Sequence, residues 1–365
     1  MSQWVVADRA VCAVTRVLYA VALLAGFAAV CQGVGVAQAG PLALYHEVHQ
    51  AMGSEFTIDL YAPDQESAER SLELAFEEVD RIEDLLSNYR PTSELSRISR
   101  EAGAAPVTTD PETFSFIERA VEASKRSDGA FDITVGPLMR AWGFFFNKGR
   151  IPSADELSAL RKKTGWRYIQ LDASRRTVFF TNHVNMELDP GSIGKGYAVD
   201  RVVELLRQQG ISAALISAGS SSIYGLGSPP GADGWPVNVP DPAHAGRVLS
   251  KVVLKDLSLS TGACTEKFFI KNGHRYCHIL SPRTMSPVEG MLQTTVLSPS
   301  ATDSDALSTA TFVLGKAGFK SVLQAYPHSS GLIVSGTPRS PAYSMFQWPQ
   351  PVKLSQSKKE GDRAR

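Results

Sequence analysis

At 365 residues the chain is long enough for a sizeable core and for one large or two medium domains. Hydrophobic residues make up 43% and charged residues 20%, a globular balance. Lys+Arg and Asp+Glu each number 37, so formal net charge is zero, which excludes an overall basic field for nucleic acid or an anionic membrane surface.

The N-terminus reads as a targeting segment. Arg9 and Arg16 precede the apolar run "VLYAVALLAGFAAV", and "AQAG" places Ala37 and Ala39 at small-residue positions before Gly40. A run of about 14 apolar residues is too short to span a bilayer but suits a signal-peptide core. Three fates stay open: cleavage after residue 39, retention as a membrane anchor, and lipid attachment at Cys31. Cleavage is favoured, because Val30 stands where a small residue is wanted before a lipidated cysteine. Removal of residues 1–39 leaves Cys264 and Cys277 of the four cysteines. They either pair or are buried small residues, and the second reading is favoured. No Cys/His spacing suggests zinc.

In the mature part, Phe56 to Tyr61 alternates as a strand does. "DQESAERSLELAFEEVDRIEDLLS" is an amphipathic helix. "NYRPTSELSRIS" breaks it at Pro91. A second helix is capped by Asp110, carries Pro111 in its first turn and stops at Gly129. "GAFDITVGPLMRAWGF" reads as an aromatic, glycine-rich loop. A short helix starts on Ser153, with Glu156 spaced for a capping box. "YIQLDASRRTVFFT" and "NMELDPGSIG" read as strands, and a helix runs from Lys195 to Gln209.

"AALISAGSSSIYGLG" is a buried strand entering a glycine- and serine-rich turn. "GWPVNVPDP" and "RVLSKVVLKDLSLSTGA" are further strands. Asn272-Gly273 marks a hairpin within "FFIKNGHRYCHILSPRT". A helix begins near Thr302 in "TDSDALSTATFVLG". The tail, 351–365, is charged and expected to be disordered. Helices and strands interleave without a clean doubly wound series, so the fold class is mixed α/β (α+β).

Four stretches carry chemistry. In "LDPGSIGKGYAVD", Gly191, Gly194 and Gly196 open the backbone, and Lys195 stands where a helix N-terminus offers free N–H groups. That combination suits a phosphate, although neither the P-loop nor the dinucleotide spacing is present. A tight turn with a solvated lysine is the competing reading. In "TDSDALSTA", Asp305 and Thr309 share one helix face and offer oxygens to a hard cation such as Mg2+. His278 precedes a proline turn carrying Arg283. These are a candidate base and a candidate phosphate or ribose ligand. Phe131, Trp142 and Phe144, with Asp128 and Asp132, offer flat surface and acceptors to a planar heterocycle, or pack as an interdomain loop.

"MGSEFTIDLY", "LSNYRPTSELSRIS", "DGAFDITVGPLMRAWGF", "LDPGSIGKGYAVDRVVELL", "STGACTEKFF", "RYCHILSPRT" and "TDSDALSTATFVLG" occur together in this order from Met52 to Gly315. In this the chain resembles the ApbE-type FAD:protein FMN transferases. The resemblance implies a T-fold-like architecture over residues 40–350, with mixed sheets, helices and a cleft for FAD. It implies magnesium on the FAD pyrophosphate, held by Asp305, Thr309 and the carbonyl of Ser192. Met52, Tyr89, Asp132, Lys195, His278 and Arg283 would contact the nucleotide, with His278 as base and Lys195 stabilising phosphate charge.

The implied reaction moves FMN from FAD to a Ser/Thr hydroxyl of an exported or membrane-bound redox protein and releases AMP. The implied target motif is Ser/Thr-Gly-Ala-Ser/Thr-like. An FAD pyrophosphatase and a non-catalytic periplasmic FAD-binding protein are the alternatives. Two departures touch the expected binding region. The family's Asp-Pro-Arg-Thr-Gly reads "SPRTM" here, with Ser281 and Met285, and "AGSSS" puts Ser220 and Ser221 where paired glycines and an acid are usual. "TGAC" at Thr261 to Cys264 only approaches the target motif and reads as coincidence.

Overall fold

A computed structural model describes residues 41–352 apart from residue 266. The expected signal peptide, its cleavage site, Cys31 and the tail from residue 353 lie outside the described residues. β1 (Ala43–Ala51) and β2 (Ser54–Ala62) form a hairpin, with Met52 and Gly53 at φ +52° and +66° in its turn. α1 (Gln65–Leu86) starts on Asp64, which accepts from the Ser67 N–H, and it buries Leu72, Val79 and Ile82.

The chain does not stay irregular after Pro91. Ser93 caps α2 (Glu94–Glu101), which buries Leu95 and Ile98. β3 (Val107–Thr108) follows, then α3 (Pro111–Arg126), capped by Asp110 as expected. The expected aromatic loop contains the one-and-a-half-turn helix α4 (Gly136–Ala141). Phe131 and Trp142 are buried in it, so they are core residues and not an exposed platform. α5 (Ala154–Leu160) starts on Ser153, and β4 (Ile169–Asp172) and β5 (Thr177–Phe180) join β3 in a small sheet.

"NMELDPGSIG" is not a strand. Its first four residues alternate in burial and its end is a turn entering the next helix, but among the described residues no strand pairs with it. Its bonds go singly to other elements: Leu188 N–H to Ser99 Oγ (3.0 Å) and Asp189 N–H to the Ile133 carbonyl (2.7 Å). α6 (Gly194–Gln208) leads to the hairpin β6 (Ala214–Ala218) and β7 (Ser222–Leu226). β8 (Trp235–Pro240), β9 (Val248–Leu254) and β10 (Leu257–Ala263) follow. β11 (Phe268–Lys271) and β12 (His274–Cys277) make the expected Asn272-Gly273 hairpin. β13 (Leu280–Ser281), β14 (Ser286–Pro287) and β15 (Met291–Ser298) precede α7 (Ala301–Gln324). β16 (Ser330–Thr337) and β17 (Ser340–Phe346) end the described chain.

Eight strands form the main sheet in the order β1-β2-β6-β7-β10-β15-β16-β17, and each pairing among the described residues is antiparallel. Alternate residues serve opposite faces. On one face Phe56, Ile58 and Ile216 pack with α1 and α6, while Val296 and Ile333 pack under α7. On the other, Leu259, Leu297 and Leu332 pack with Trp235 and Val252 of the β8–β9 hairpin. Among the described residues no helix is long and apolar enough to cross a membrane.

Cys264 and Cys277 form a disulfide, which corrects the favoured reading of two unpaired residues. Both are also buried, so burial alone did not separate the two readings. The bond ties the end of β10 to the base of the β11–β12 hairpin.

Candidate active site at the meeting of two helices

Two helices build the site. Asp200 of α6 accepts from the Ala301 N–H (2.7 Å), the Thr302 N–H (3.0 Å), Ser300 Oγ (2.7 Å) and Thr302 Oγ1 (2.6 Å). This carboxylate therefore caps the start of α7 and fixes it against α6. The helices touch at Gly196, where a Cβ would lie 2.1 Å from the Ala301 carbonyl oxygen and 2.8 Å from Asp305 Cβ. Only glycine allows that approach. The Gly196 N–H donates to Asp305 Oδ2 at 3.0 Å, so a backbone donor in the first turn of α6 meets the carboxylate of α7.

Asp305 is buried, and burial pushes its carboxyl up from the usual carboxylate range. The Lys195 ammonium and the Gly196 N–H oppose that rise. The Ser222 hydroxyl on β7 opposes it too, yet makes no hydrogen bond of ordinary geometry and is fully buried. A buried carboxylate and an orphaned hydroxyl beside it form an oxygen-rich corner, with Thr309 one turn further along α7. That corner fits a hard cation. Among the described residues no three His, Cys, Asp or Glu side chains cluster. A magnesium site built on one carboxylate with substrate phosphates does not need them. Ser192 lies two residues before α6, in the turn that enters it.

His278 is one residue past β12 rather than on it. Its Nδ1 lies 2.9 Å from the Lys267 carbonyl, which also accepts from the His278 backbone N–H at 3.1 Å. A carbonyl can only accept, so Nδ1 carries the proton and Nε2 is the bare acceptor. Burial lowers the ring's pKa to about 4, and the charges of Lys267 and Lys195 push the same way. His278 is therefore neutral at pH 7. Lys195 acts on both Asp305 and His278, which places the three in one electrostatic neighbourhood.

Asp189 extends it. Its carboxylate accepts from Gly191 N–H (2.8 Å), is raised by burial, and is stabilised as the anion by Arg140 and Lys267. Met52 reaches the same place: its Cε lies 3.4 Å from where a Cβ on Gly194 would stand. Tyr89 is exposed and stacks on Phe145 at 4.0 Å, beneath Arg140, which pairs with Glu187 at 2.6 Å. Tyr89, Arg140 and Glu187 line an open pocket of about 560 Å³ that does not include Lys195, Asp305 or His278.

Two expected contacts are otherwise engaged. Asp132 Oδ1 accepts from the Thr134 N–H (2.9 Å) and hydroxyl (2.7 Å), and Oδ2 accepts from the Trp166 N–H (3.0 Å). Arg283 donates to the Asp128 carbonyl (2.8 Å) and carboxylate (3.1 Å), which ties the "SPRTM" turn to the loop after α3. Reading the sequence missed Lys267, Ser222 and Asp200. Asp200 had no local signal, since a carboxylate inside one helix caps another only through the fold. Lys267 and Ser222 had none, because a carbonyl and a buried hydroxyl acquire roles only through distant partners.

The family model described as "ApbE family" matches residues 52–333. A FAD:protein FMN transferase of Klebsiella pneumoniae is 34% identical over 72% of this chain and 80% of its own length. One of Treponema pallidum is 31% identical, over 72% of this chain and 76% of its own length. The ApbE protein of Thermotoga maritima superposes with a TM-score of 0.74 at 29% identity, covering 83% of this chain and 96% of that one. The flavin transferase ApbE of Vibrio cholerae also gives 0.74, at 25% identity, covering 84% and 97%.

Proposed function

The chain belongs to the ApbE family, and from that we propose that it is an FAD:protein FMN transferase, an enzyme that transfers a phosphorus-containing group. The observation that carries the reading is the buried Asp305 held by the Gly196 N–H at the glycine-rich start of α6, with the Lys195 charge felt by both Asp305 and a neutral His278. The acceptor is a Ser/Thr hydroxyl in a protein segment of the Ser/Thr-Gly-Ala-Ser/Thr kind. His278 Nε2 takes the hydroxyl proton as the oxygen attacks the FMN phosphorus. The bond from that phosphorus to the bridging oxygen breaks, and AMP leaves with the electron pair. The Lys195 ammonium stabilises the phosphate charge, while the Gly194 and Gly196 N–H groups that the sequence offers at the start of α6 are taken by the Pro190 carbonyl and Asp305. Asp305, Thr309 and the Ser192 carbonyl would hold magnesium, which when bound neutralises the pyrophosphate.

The reading places the enzyme outside the cytoplasm, in the periplasm, carried there by residues 1–39 either as a cleaved signal or as a retained or lipid-bearing anchor. A buried disulfide supports that placement, because such bonds persist in oxidising compartments.

The test is incubation with FAD, magnesium and a motif-bearing acceptor protein, followed by a denaturing gel. Fluorescent acceptor is expected. Free FMN without labelled acceptor would replace the reading with a pyrophosphatase. Tight FAD binding with neither product would replace it with a binding protein. Asp305→Asn keeps an oxygen for the Gly196 N–H but loses the charge, so label should fall by about a hundredfold or more. Unchanged labelling in that variant removes Asp305 from the metal set.

A further inference from the structure

The disulfide and the candidate base sit side by side in the chain. Among the described residues β11 and β12 pair only with each other, outside the main sheet. Their last registered pair is Phe268 with Cys277, and the next is Lys267 with His278. Two-stranded ribbons are marginal in water and open first at their ends. Yet at this end the Lys267 carbonyl must hold two His278 donors, at 3.1 and 2.9 Å. The Cys264–Cys277 bond closes the chain directly behind that pair. Its sulfurs lie in the same apolar cluster as Leu307 and Phe312 of α7, the helix that carries Asp305. One pair further into the hairpin lies a separate anchor. Phe269 stacks on Tyr276 at 4.9 Å and closes on Gly149, where a Cβ would be 2.1 Å from the ring.

We propose that the Cys264–Cys277 disulfide is a positioning clamp for His278: it holds the Lys267 carbonyl against Nδ1 and so keeps Nε2 as the bare proton acceptor. The proposal rests on His278 being the base of the transfer. Loss of the bond leaves the hairpin docked through Phe269 but lets its base open. The imidazole then loses its fixed partner and samples both tautomers, only one of which presents Nε2 as acceptor. The clamp makes transfer depend on the oxidised state. A dithiol reductant delivers two electrons and two protons to the bond, giving two thiols and its own cyclic disulfide.

The experiment uses Cys264→Ala/Cys277→Ala and, beside it, the natural chain reduced with dithiothreitol to two additional thiols by mass. The first readout is the ring 15N shifts of His278. The oxidised protein should show the Nδ1-protonated tautomer, and the reduced or doubly substituted protein a mixture. An unchanged tautomer after loss of the bond overturns the clamp. The second readout is FMN transfer, with kcat expected to fall on the order of tenfold or more while the Kd for FAD stays within about twofold. If the tautomer mixes but kcat holds, the clamp stands and the role of His278 as base falls. His278→Ala checks that arm, since it should lose transfer in the oxidised protein. Should the double variant fail to fold, the reduced natural chain gives the same two readouts.

Discussion

Met285 and His278 show how single residues are set by partners far away in the chain. Where the family resemblance puts glycine, Met285 adopts φ +60°, a region that costs an L-residue roughly 1 kcal/mol or more. It is held there by burial against Leu138, Trp142 and Leu280, and by the Trp142 indole N–H, which donates to its carbonyl at 3.0 Å. Met285→Gly relieves the backbone but empties a core site, a change that ordinarily costs about 2–5 kcal/mol. Net destabilisation of about 2 kcal/mol is expected in urea denaturation. His278 makes a prediction in pH. With its pKa near 4, the ring keeps its acceptor from pH 8 down to about 5, so the rate of transfer should show no His limb at its ordinary 6.5. The sign for stability follows from the same shift. Between 6.5 and about 4 the unfolded chain binds a proton here that the folded one does not, so this residue lowers stability as pH falls through that window. A pH–rate profile with a limb near 6.5 contradicts the assignment.

At the scale of elements, the α6–α7 contact carries the predictions. Gly196→Ala puts a methyl into the Ala301 carbonyl and must part the helices. Overpacking of this kind costs about 1–3 kcal/mol, and Asp305 moves with α7, so transfer should fall further than stability does. Denaturation and labelling assays on the one variant separate the two effects. Asp200→Ala leaves the first N–H groups of α7 without their carboxylate, with an expected loss of about 2 kcal/mol in chemical denaturation. Helices with local start signals were legible in the sequence: Asp110 and Ser153 cap where their spacing implies. The Ser153–Glu156 box is only half made, because the Glu156 carboxylate turns to Arg150. α2 was missed since Pro91 masked Ser93 two residues on, and α4 because glycine and aromatics conceal so short a helix. "NMELDPGSIG" misled for the opposite reason. It has the alternation of a strand, but a strand also needs a neighbour, which no local pattern reports.

Across the whole molecule, sheet order was not legible. β2 pairs with β6, more than 150 residues later, and nothing near either strand announces the other. Lys195, Asp305 and His278 were all picked out by residue chemistry and resemblance, while the carbonyl of Lys267 and the hydroxyl of Ser222 emerged only from three-dimensional packing. The aromatic residues of the loop after α3 divided on burial: Phe131 and Trp142 went to the core, whereas Phe146 stands exposed beside Phe145, which Tyr89 from the turn after α1 also stacks on.

α7 is not one continuous rod. Gly315, at φ +57° and ψ −159°, interrupts it after the turns that bear Asp305 and Thr309. The stretch beyond, with Phe319, Val322 and Leu323, is packed under the far strands of the sheet. An interrupted helix does not transmit rotation about its axis, so the distal segment can tilt or repack without turning Asp305 and Thr309. Sequence drift after Gly315 should therefore register in melting temperature and leave turnover where it was.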